Sequence, residues 1–394
     1  MAPAAHRPEL PSYADARPRL GAGRIRRTAV TAVAALAATS LLAACGYGSK
    51  SDDAGSGSTT PAAAVPSGKQ LSADNVKIGF FANVTHATAL VGLAKDGLIS
   101  KELAAGGAKV TPSVFNAGPT EIEALNAGSI DIGWIGPSPA INGFVKSKGT
   151  SLRIISGSAS GGVKLVVNPK KIKSLADVKG KRIATPQLGN TQDVALLNWI
   201  SEQGWKVDPD SGKGDVSVFR TDNKITPDAY KNGSIDGAWV PEPTASKLVA
   251  EGAKVLLDES TLWPDHKFVI TNVIVRESFL KEHPDVVEAV LRGSVKTNAW
   301  IKANPDAAKD AANKQLEALS GSALPPAIID PAWQSIEVLD DPLAATLTTE
   351  ADHAVKAGLL QKPDLNGIYD LRLLNKVLTA DGSPEVSDAG LGAK

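Results

Sequence analysis

From about residue 75 onward, short apolar runs alternate with longer segments in which apolar residues recur every three or four positions. The short runs are typical of buried strands and the longer segments of amphipathic helices. Strands that alternate with helices predict an α/β fold, in which helices cover largely parallel sheets. The predicted strands cover residues 76–81, 110–115, 130–135, 152–167, 181–185, 216–219, 235–240, 255–257 and 267–275.

One phrase of this pattern occurs twice. Gly128-Ser-Ile-Asp131 followed by Trp134 recurs as Gly233-Ser-Ile-Asp236 followed by Trp239, at a constant offset of 105 residues. A repeat of this length corresponds to a whole lobe and is too long for a solenoid unit. We therefore predict two similar α/β lobes, each with its own copy of this loop, that face each other across a ligand cleft.

Two extended stretches are expected to connect these lobes. Residues 152–167 contain Gly157, Gly161 and Gly162, whose backbone freedom suits a hinge, and residues 267–275 are the predicted return crossover. The C-terminal helices are expected to pack mainly on the first lobe. The predicted boundaries are 71–160 plus 271–394 for the first lobe and 161–270 for the second.

Polar turns follow several of the predicted strands. Because open α/β sheets bind ligands at the carboxyl ends of their strands, these turns are expected to line the cleft. The helix N-termini that follow them suit an anion. Thr85 is expected to cap a helix over residues 87–103, and Asn190 or Thr191 to cap its counterpart in the second lobe. Capping alone, with His86 solvated, is the simpler explanation of the first turn, but the matching second turn favours a ligand site.

Residues 1–44 have the layout of a secretory signal peptide, with a basic start and an uncharged, alanine-rich apolar run. The run ends in Leu42-Ala-Ala-Cys45, which resembles a bacterial lipobox and makes Cys45 the predicted lipidation site. A transmembrane anchor is the alternative, but the run is slightly short for a span. Residues 45–70, rich in Gly, Ser and Pro, are predicted to form a disordered, lipidated tether that holds the protein on the outer face of the cell membrane.

Charge and motifs exclude several function classes. Removing residues 1–44, with six arginines and two acidic residues, leaves 36 basic and 40 acidic residues, or a net charge of about −4. No basic cluster remains, so nucleic acid is not an expected partner. The five histidines are dispersed, Cys45 is the one cysteine, and no nucleophile or phosphate-binding motif occurs. We therefore expect no metal, no cofactor and no catalytic residue, and a binding protein rather than an enzyme.

Five stretches of the chain have a familiar combination of residues: Thr85-His86, Gly118–Asp131, Gly136-Pro-Ser-Pro139, Leu188–Asp193 and Gly237–Pro243. Together they resemble the nitrate/sulfonate/taurine group of ABC-transporter substrate-binding proteins, most closely the aliphatic-sulfonate-binding lipoproteins. The resemblance extends over about residues 75–380. It implies a type II periplasmic-binding-protein-like fold with two crossover strands. It also implies a monomer that closes on a small organic anion and delivers it to a membrane permease driven by an ATPase.

The resemblance and the turns together suggest a site of neutral donors. A sulfonate keeps its charge at physiological pH, so helix N-termini and uncharged donors are sufficient to hold it. Trp134 and Trp239 either wall the organic tail or belong to the core, and Arg220 either approaches the anion or lies at the surface. Glu242 either binds an amino group of the ligand or, the favoured interpretation, caps a helix. The expected ligand-binding residues are Asn83, Thr85, His86, Ser138, Gly161, Asn190, Thr191, Gln192, Trp239 and Glu242.

The leading hypothesis is thus an exported lipoprotein that binds an aliphatic sulfonate. Nitrate, taurine and a thiamin-pyrimidine precursor are alternative ligands within the same class. An enzyme on the same fold would use His86 as its acid or base, and an adhesion lipoprotein would have neither hinge nor ligand.

Overall fold

The computed structural model describes residues 70–393 of the chain. The predicted signal peptide, the lipidation site Cys45 and the tether up to residue 69 lie outside the described residues. No helix within residues 70–393 is long and apolar enough to cross a membrane.

The strands of the described residues form two separate mixed sheets, one of six strands and one of five. In chain order the strands are β1 (Asn75–Phe81), β2 (Lys109–Phe115), β3 (Ile132–Ile135), β4 (Leu152–Gly161), β5 (Val163–Val167), β6 (Arg182–Thr185), β7 (Ser217–Arg220), β8 (Gly237–Pro241), β9 (Lys254–Asp258), β10 (Val269–Arg276) and β11 (Ile336–Val338). The first sheet has the order β2-β1-β3-β10-β4-β11 and the second the order β7-β6-β8-β5-β9.

The two sheets share one topology. In each, the first three strands are parallel and the fourth is antiparallel to its neighbour. The register also repeats at the offset seen in the sequence, since Ile78 lies opposite Ile132 and Ile183 lies opposite Gly237. The predicted two-lobed α/β fold is therefore confirmed.

The helices cover both sheets and bury their apolar faces against them. They are α1 (Ala87–Gly92), α2 (Leu98–Ala105), α3 (Gly118–Asn126), α4 (Pro137–Lys146), α5 (Thr191–Glu202), α6 (Thr226–Lys231), α7 (Thr244–Ala250), α8 (Glu277–Glu282), α9 (Pro284–Ala303), α10 (Pro305–Ser320), α11 (Pro326–Gln334), α12 (Ala344–Lys356) and α13 (Arg372–Ala380). Along β5, Leu165 and Val167 face one apolar cluster and Val166 faces another, because successive strand residues point to opposite sides of a sheet. The second sheet is therefore buried on both faces.

The repeated Gly-Ser-Ile-Asp phrase ends one helix and begins the next strand in both lobes. Gly128 and Gly233 have φ angles of 68° and 77°, a backbone conformation that favours glycine after a helix. Asp131 and Asp236 each accept a hydrogen bond of 3.0 Å from a main-chain N–H of the neighbouring parallel strand. These residues lie at the amino ends of the strands. The prediction that the repeated loops face the cleft is therefore wrong for this part of the phrase, and only the residues that follow the strand reach the cleft.

The chain passes between the sheets twice. β4 ends at Gly161 in the first sheet and β5 begins at Val163 in the second, whereas β9 ends at Asp258 and β10 begins at Val269 back in the first. Gly161 and Gly162 both have positive φ angles, of 78° and 73°, in this short connection. These two passages are the crossovers expected of the fold.

Two local predictions are wrong. The helix predicted over residues 87–103 is broken between Gly92 and Leu98, where Gly97 has an extended backbone and lies so close to the Gly92 carbonyl that a Cβ atom would be 2.3 Å from it. Thr85 caps no helix and lies inside the 3₁₀ turn Val84–His86. The expectation that the C-terminal helices pack mainly on the first lobe agrees with α9, α10 and α13, whereas α11 contacts α7 and α12 contacts both α4 and α5.

Candidate functional site

A small cavity of about 20 Å³ lies between the carboxyl ends of the strands of the two lobes. This volume holds about one water molecule, so the lobes contact each other closely here. Both lobes and β10 line it, through Phe81, Asn83, Thr85, His86, Gly136, Asn190, Thr191, Gln192, Asn223, Pro241 and Ile270. Six of the predicted ligand residues are among them: Asn83, Thr85, His86, Asn190, Thr191 and Gln192.

Corresponding loops of the two lobes build this cavity. Gly136 follows β3 and Pro241 ends β8, and the two positions are separated by the same 105 residues as the repeated phrase. The carboxyl end of each copy of the phrase therefore reaches the same place.

His86 is buried and neutral. Its Nδ1 accepts the main-chain N–H of Phe81 at 3.3 Å, and the two rings stack with centroids 4.4 Å apart. Because Nδ1 accepts this bond, the ring proton of the neutral form is on Nε2. Burial lowers the pKa of His86 to about 3. His86 therefore brings a neutral N–H donor to the cavity lining rather than a cation.

The turn before α5 contributes further polar groups and touches the first lobe. Thr191 is 1% exposed, and its Oγ1 has no hydrogen-bond partner among the described residues. This oxygen faces Gly136, where an added Cβ would lie 2.4 Å from it. The Asn190 side chain bridges the cleft, because its Oδ1 accepts the N–H of Gly118, the first residue of α3, at 3.1 Å. Its Nδ2 donates to Gln192 Oε1 at 2.7 Å.

The electrostatics of the cavity come from dipoles, because no Lys, Arg, Asp or Glu among residues 70–393 lines it. α4 and α5 begin at its wall, after Gly136 and Asn190 in extended cap conformations. The first N–H groups of a helix lack intrahelical acceptors and form the positive end of its dipole. Pro137 and Pro139 remove two such groups from α4, so the main-chain N–H of Ser138 is the donor of that first turn. This set of groups suits a small anion.

Three other predicted ligand residues lie outside the cavity lining. The Ser138 hydroxyl points to Glu350, with Oγ 3.5 Å from Oε2. Gly161 belongs to the crossover. Trp239 is fully buried in the core of the second lobe, where its Nε1–H donates to Glu259 Oε2 at 2.6 Å. The prediction that Trp239 forms a wall of the ligand site is therefore wrong, because its ring belongs to the hydrophobic core. Trp134 is likewise buried in the hydrophobic core of the first lobe.

Glu242, the last predicted ligand residue, has a structural role. Its Oε2 accepts the N–H of Ser246 in the first turn of α7 at 3.0 Å, and its Oε1 accepts Lys164 Nζ at 2.7 Å. The helix-capping interpretation is therefore the one that the structure shows. Arg220 does not approach the cavity either, since its Nε pairs with Asp193 Oδ1 at 2.9 Å.

Sequence reasoning missed Phe81, Gly136, Asn223, Pro241 and Ile270 as site residues. Asn223 follows β7, so the rule of the carboxyl edge could have included it. Ile270 lies in the return crossover, and its place depends on the approach of the two lobes, which no local pattern encodes. Among residues 70–393, no group of three or more His, Cys, Asp or Glu is placed to hold a metal ion.

Comparison with known proteins identifies the family. The sequence profile of the NMT1-like family matches residues 69–315 of this chain, which is more than half of its length. The chain belongs to the NMT1-like family. A protein named as a binding protein in Brucella abortus (strain 2308) is 28% identical to this NMT1-like chain over 265 residues, which cover 64% of the chain and 78% of the relative.

Two further proteins that are similar to this chain have names that state a ligand. The taurine-binding periplasmic protein of Escherichia coli (strain K12) is 29% identical over 211 residues, which cover 54% of this chain and 62% of the relative. The solved structure of the alkanesulfonate-binding protein SsuA from Xanthomonas axonopodis pv. citri bound to MOPS matches with a TM-score of 0.60 at 23% identity, covering 74% of this chain and 95% of that chain. The structural likeness confirms the periplasmic-binding-protein-like fold.

Proposed function

We propose that this NMT1-like protein is the extracytoplasmic substrate-binding protein of an ABC importer and holds a small organic anion between its lobes. The observation that carries the proposal is the cavity between the lobes, which is bordered by helix N-termini and a neutral histidine. Its lining comes from both lobes and, in the part of the chain that the structure describes, contains no charged side chain. The relatives support a binding role, because their names are those of binding proteins for taurine and alkanesulfonate. We assign no catalytic step to the site.

An aliphatic sulfonate is the ligand that these groups suit best. It carries one negative charge spread over three acceptor oxygens, and neutral donors hold such an ion without a buried cation. The Thr191 hydroxyl and the Nε2–H of His86 are donors of this kind. A phosphate dianion would bring more charge into a site whose described lining contains no Lys or Arg, so desolvation of that charge would be poorly offset.

Taurine is the second candidate, because one relative is named for it. Its ammonium group needs an acceptor, and Glu242 is already bonded to Lys164 and to α7. Asn223 lines the cavity, and its buried amide oxygen has no hydrogen-bond partner within residues 70–393. It is therefore the acceptor that taurine would use.

A thermal-shift screen tests the proposal. The panel contains alkanesulfonates of rising chain length, taurine, nitrate, sulfate and pyrimidine precursors. A ligand at ~100 times its dissociation constant stabilises the native state by about 2.7 kcal/mol. We expect a shift with sulfonates and none with sulfate. A shift confined to pyrimidine precursors would contradict the proposal that the ligand is an anion. If none of the compounds shifts the melting temperature, the proposal that the protein binds ligands of these classes is contradicted.

Replacement of the unpaired hydroxyl tests the second-lobe side of the site. Thr191→Ala should weaken sulfonate binding about tenfold, since a hydrogen bond to a charged group contributes roughly 1.5 kcal/mol. The melting temperature of the ligand-free protein should stay unchanged, because Oγ1 bonds nothing in the described residues. Calorimetric titration measures the affinity, and an unchanged value would remove this turn from the site.

We further propose that the first lobe comprises residues 71–160 plus 271–394 and the second lobe residues 161–270. The protein acts as a monomer and delivers its ligand to a permease that an ATPase drives. Lipidated Cys45 anchors it to the membrane. Cys45→Ser should abolish lipidation and move the exported protein from the detergent phase to the aqueous phase in a partitioning experiment. Persistent detergent partitioning of the variant would contradict the anchor.

A further inference from the structure

Two buried carboxyl groups lie near enough for the charge of one to act on the other where the C-terminal region joins the lobes. Glu259 begins the connection between β9 and β10, and Glu350 lies on α12; each is 1% exposed. α12 packs against α4 of the first sheet's lobe and against α5 of the second sheet's lobe. Neither carboxyl lines the anion cavity. The pair therefore lies at a contact between the lobes beside the cavity and not in its lining, since Glu350 contacts Ser138, two residues after Gly136.

These carboxyls have few polar partners. Glu259 Oε2 accepts the indole N–H of Trp239 at 2.6 Å, and Glu350 Oε2 lies 3.5 Å from Ser138 Oγ. The other oxygen of each has no hydrogen-bond partner in the described part of the chain, and no ion pair of residues 70–393 includes either of them. Ionised carboxylates are costly to bury without a cation, so the packed arrangement favours their protonated forms.

The surrounding charges do not compensate for them. On the elements packed around the pair, the acidic groups are Asp193, Glu202, Asp258, Asp265 and Asp352, and the basic groups are Lys146, Lys164, Lys254, His266, His353 and Lys356. Lys164 Nζ pairs with Glu242 at 2.7 Å, Lys254 begins β9 at the opposite end from Asp258, and His266 is exposed. Lys146 ends α4 at the opposite end from Ser138, and Lys356 Nζ already faces Glu202 at 3.9 Å. Burial lowers the pKa of His353, whose ring packs against Trp263, so it contributes no proton-bearing cation at neutral pH.

We propose that Glu259 and Glu350 form a proton-dependent contact between the lobes, which keeps α12 packed on the second lobe while the carboxyls are protonated and loosens when they ionise. This makes closure of the lobes sensitive to the pH outside the cell membrane. It does not depend on which ligand the cavity binds.

The direction of the effect follows from linkage. Burial raises the pKa of Glu259 to about 7, and burial together with the charge of Glu259 raises the pKa of Glu350 well above its ordinary value. A carboxyl whose pKa is raised by packing stabilises the packed form fully below its ordinary pKa of 4.5. That stabilisation is lost as the pH rises through the raised value. The contact should therefore be firm in acid and weaken from about pH 5 to pH 7 and above.

Small-angle scattering and urea unfolding of the full chain without ligand test the proposal between pH 5 and pH 8.5. In the wild type, each proton released should lower the ratio of packed to loosened protein by up to about tenfold for each unit that the pH rises. The radius of gyration should therefore increase with pH. The double variant Glu259→Gln/Glu350→Gln should keep the low-pH radius throughout, because the amide mimics the protonated acid. Glu282→Gln, at an exposed residue of α8, is the control and should behave as the wild type.

A wild-type radius that is constant with pH, or a rise that persists in the double variant, would overturn the proposal. If the double variant does not fold by circular dichroism, the single variants decide, since each should remove part of the pH dependence and an undiminished dependence in both would refute it. Glu121 also has a raised pKa through burial inside the first lobe, but it is present in every variant and cancels from the comparison. The experiment contains no ligand, so failure of the sulfonate screen leaves its outcome unaffected.

Discussion

Gly136→Ala is expected to weaken ligand binding about ten- to a hundredfold while both lobes remain folded. A Cβ at this position would lie 2.4 Å from Thr191 Oγ1 and 3.6 Å from the Ile270 carbonyl oxygen. The methyl group thus meets the opposite lobe rather than the core of its own lobe. Overpacking costs about 1–3 kcal/mol, and here the cost applies only to the arrangement in which the lobes touch. A ligand larger than one water molecule needs the lobes slightly further apart than this but still in contact, so the methyl group lowers its affinity to the extent that this contact persists in the bound form.

A second substitution separates the clash from damage to the site. In the double variant Gly136→Ala/Thr191→Ala the offending oxygen is absent, so the scattering profile should return to that of the wild type. The affinity should stay low, because the same change removes a ligand donor. Calorimetry and scattering of the single and double variants make the comparison. Wild-type affinity in Gly136→Ala, or a double variant no more compact than the single one, would show that this contact does not limit closure.

Asp193→Ala is expected to lower the free energy of unfolding by about 3–5 kcal/mol, the cost of leaving one partner of a buried ion pair alone. Asp193 is fully buried, and its carboxylate accepts the Thr185 hydroxyl at 2.7 Å, the Gly189 N–H at 3.0 Å and Arg220 Nε at 2.9 Å. The side chain of Arg220 is only 15% exposed. Its charge would remain buried without compensation, and the turn that precedes α5 would lose its anchor.

Urea denaturation measures this loss against a matched control. Glu251→Ala removes one partner of the exposed pair Lys231–Glu251, whose side chains are 70% and 43% exposed. Such pairs contribute at most about 1 kcal/mol, so this variant should be near the wild type. Arg220→Met in the Asp193→Ala background should recover part of the stability, because it removes the uncompensated charge. Equal losses in Asp193→Ala and Glu251→Ala would contradict the assignment.

The duplicated phrase made most of the fold predictable. Its offset predicted two lobes, and the sheets repeat even the register at Ile78 and Ile183. The rule that ligands bind at the carboxyl ends of strands then identified the turns around His86 and Thr191, both of which line the cavity. These features depend on local pattern and on topology, which the sequence records directly.

What the sequence could not predict depends on partners distant along the chain. Ser138 was expected in the cavity, but its hydroxyl points to Glu350, 212 residues further on. The choice of Glu242 between ligand and helix was settled by Lys164, which lies 78 residues away. The position of α12 on both lobes likewise follows from packing surfaces and not from its own periodicity. The pattern of hydrophobic and polar residues within one segment carries no information about its contacts with segments that are distant along the chain.

The hydrogen bond from the Gly118 N–H to Asn190 Oδ1 has a consequence for how the two lobes can change during evolution. It joins a main-chain donor of one lobe to a side-chain acceptor of the other. Any residue except proline provides the donor, whereas the acceptor belongs to a single side chain. Exchange of residue 190 is therefore the change that removes this link, and the sequence constraint that the link imposes falls almost entirely on the second lobe.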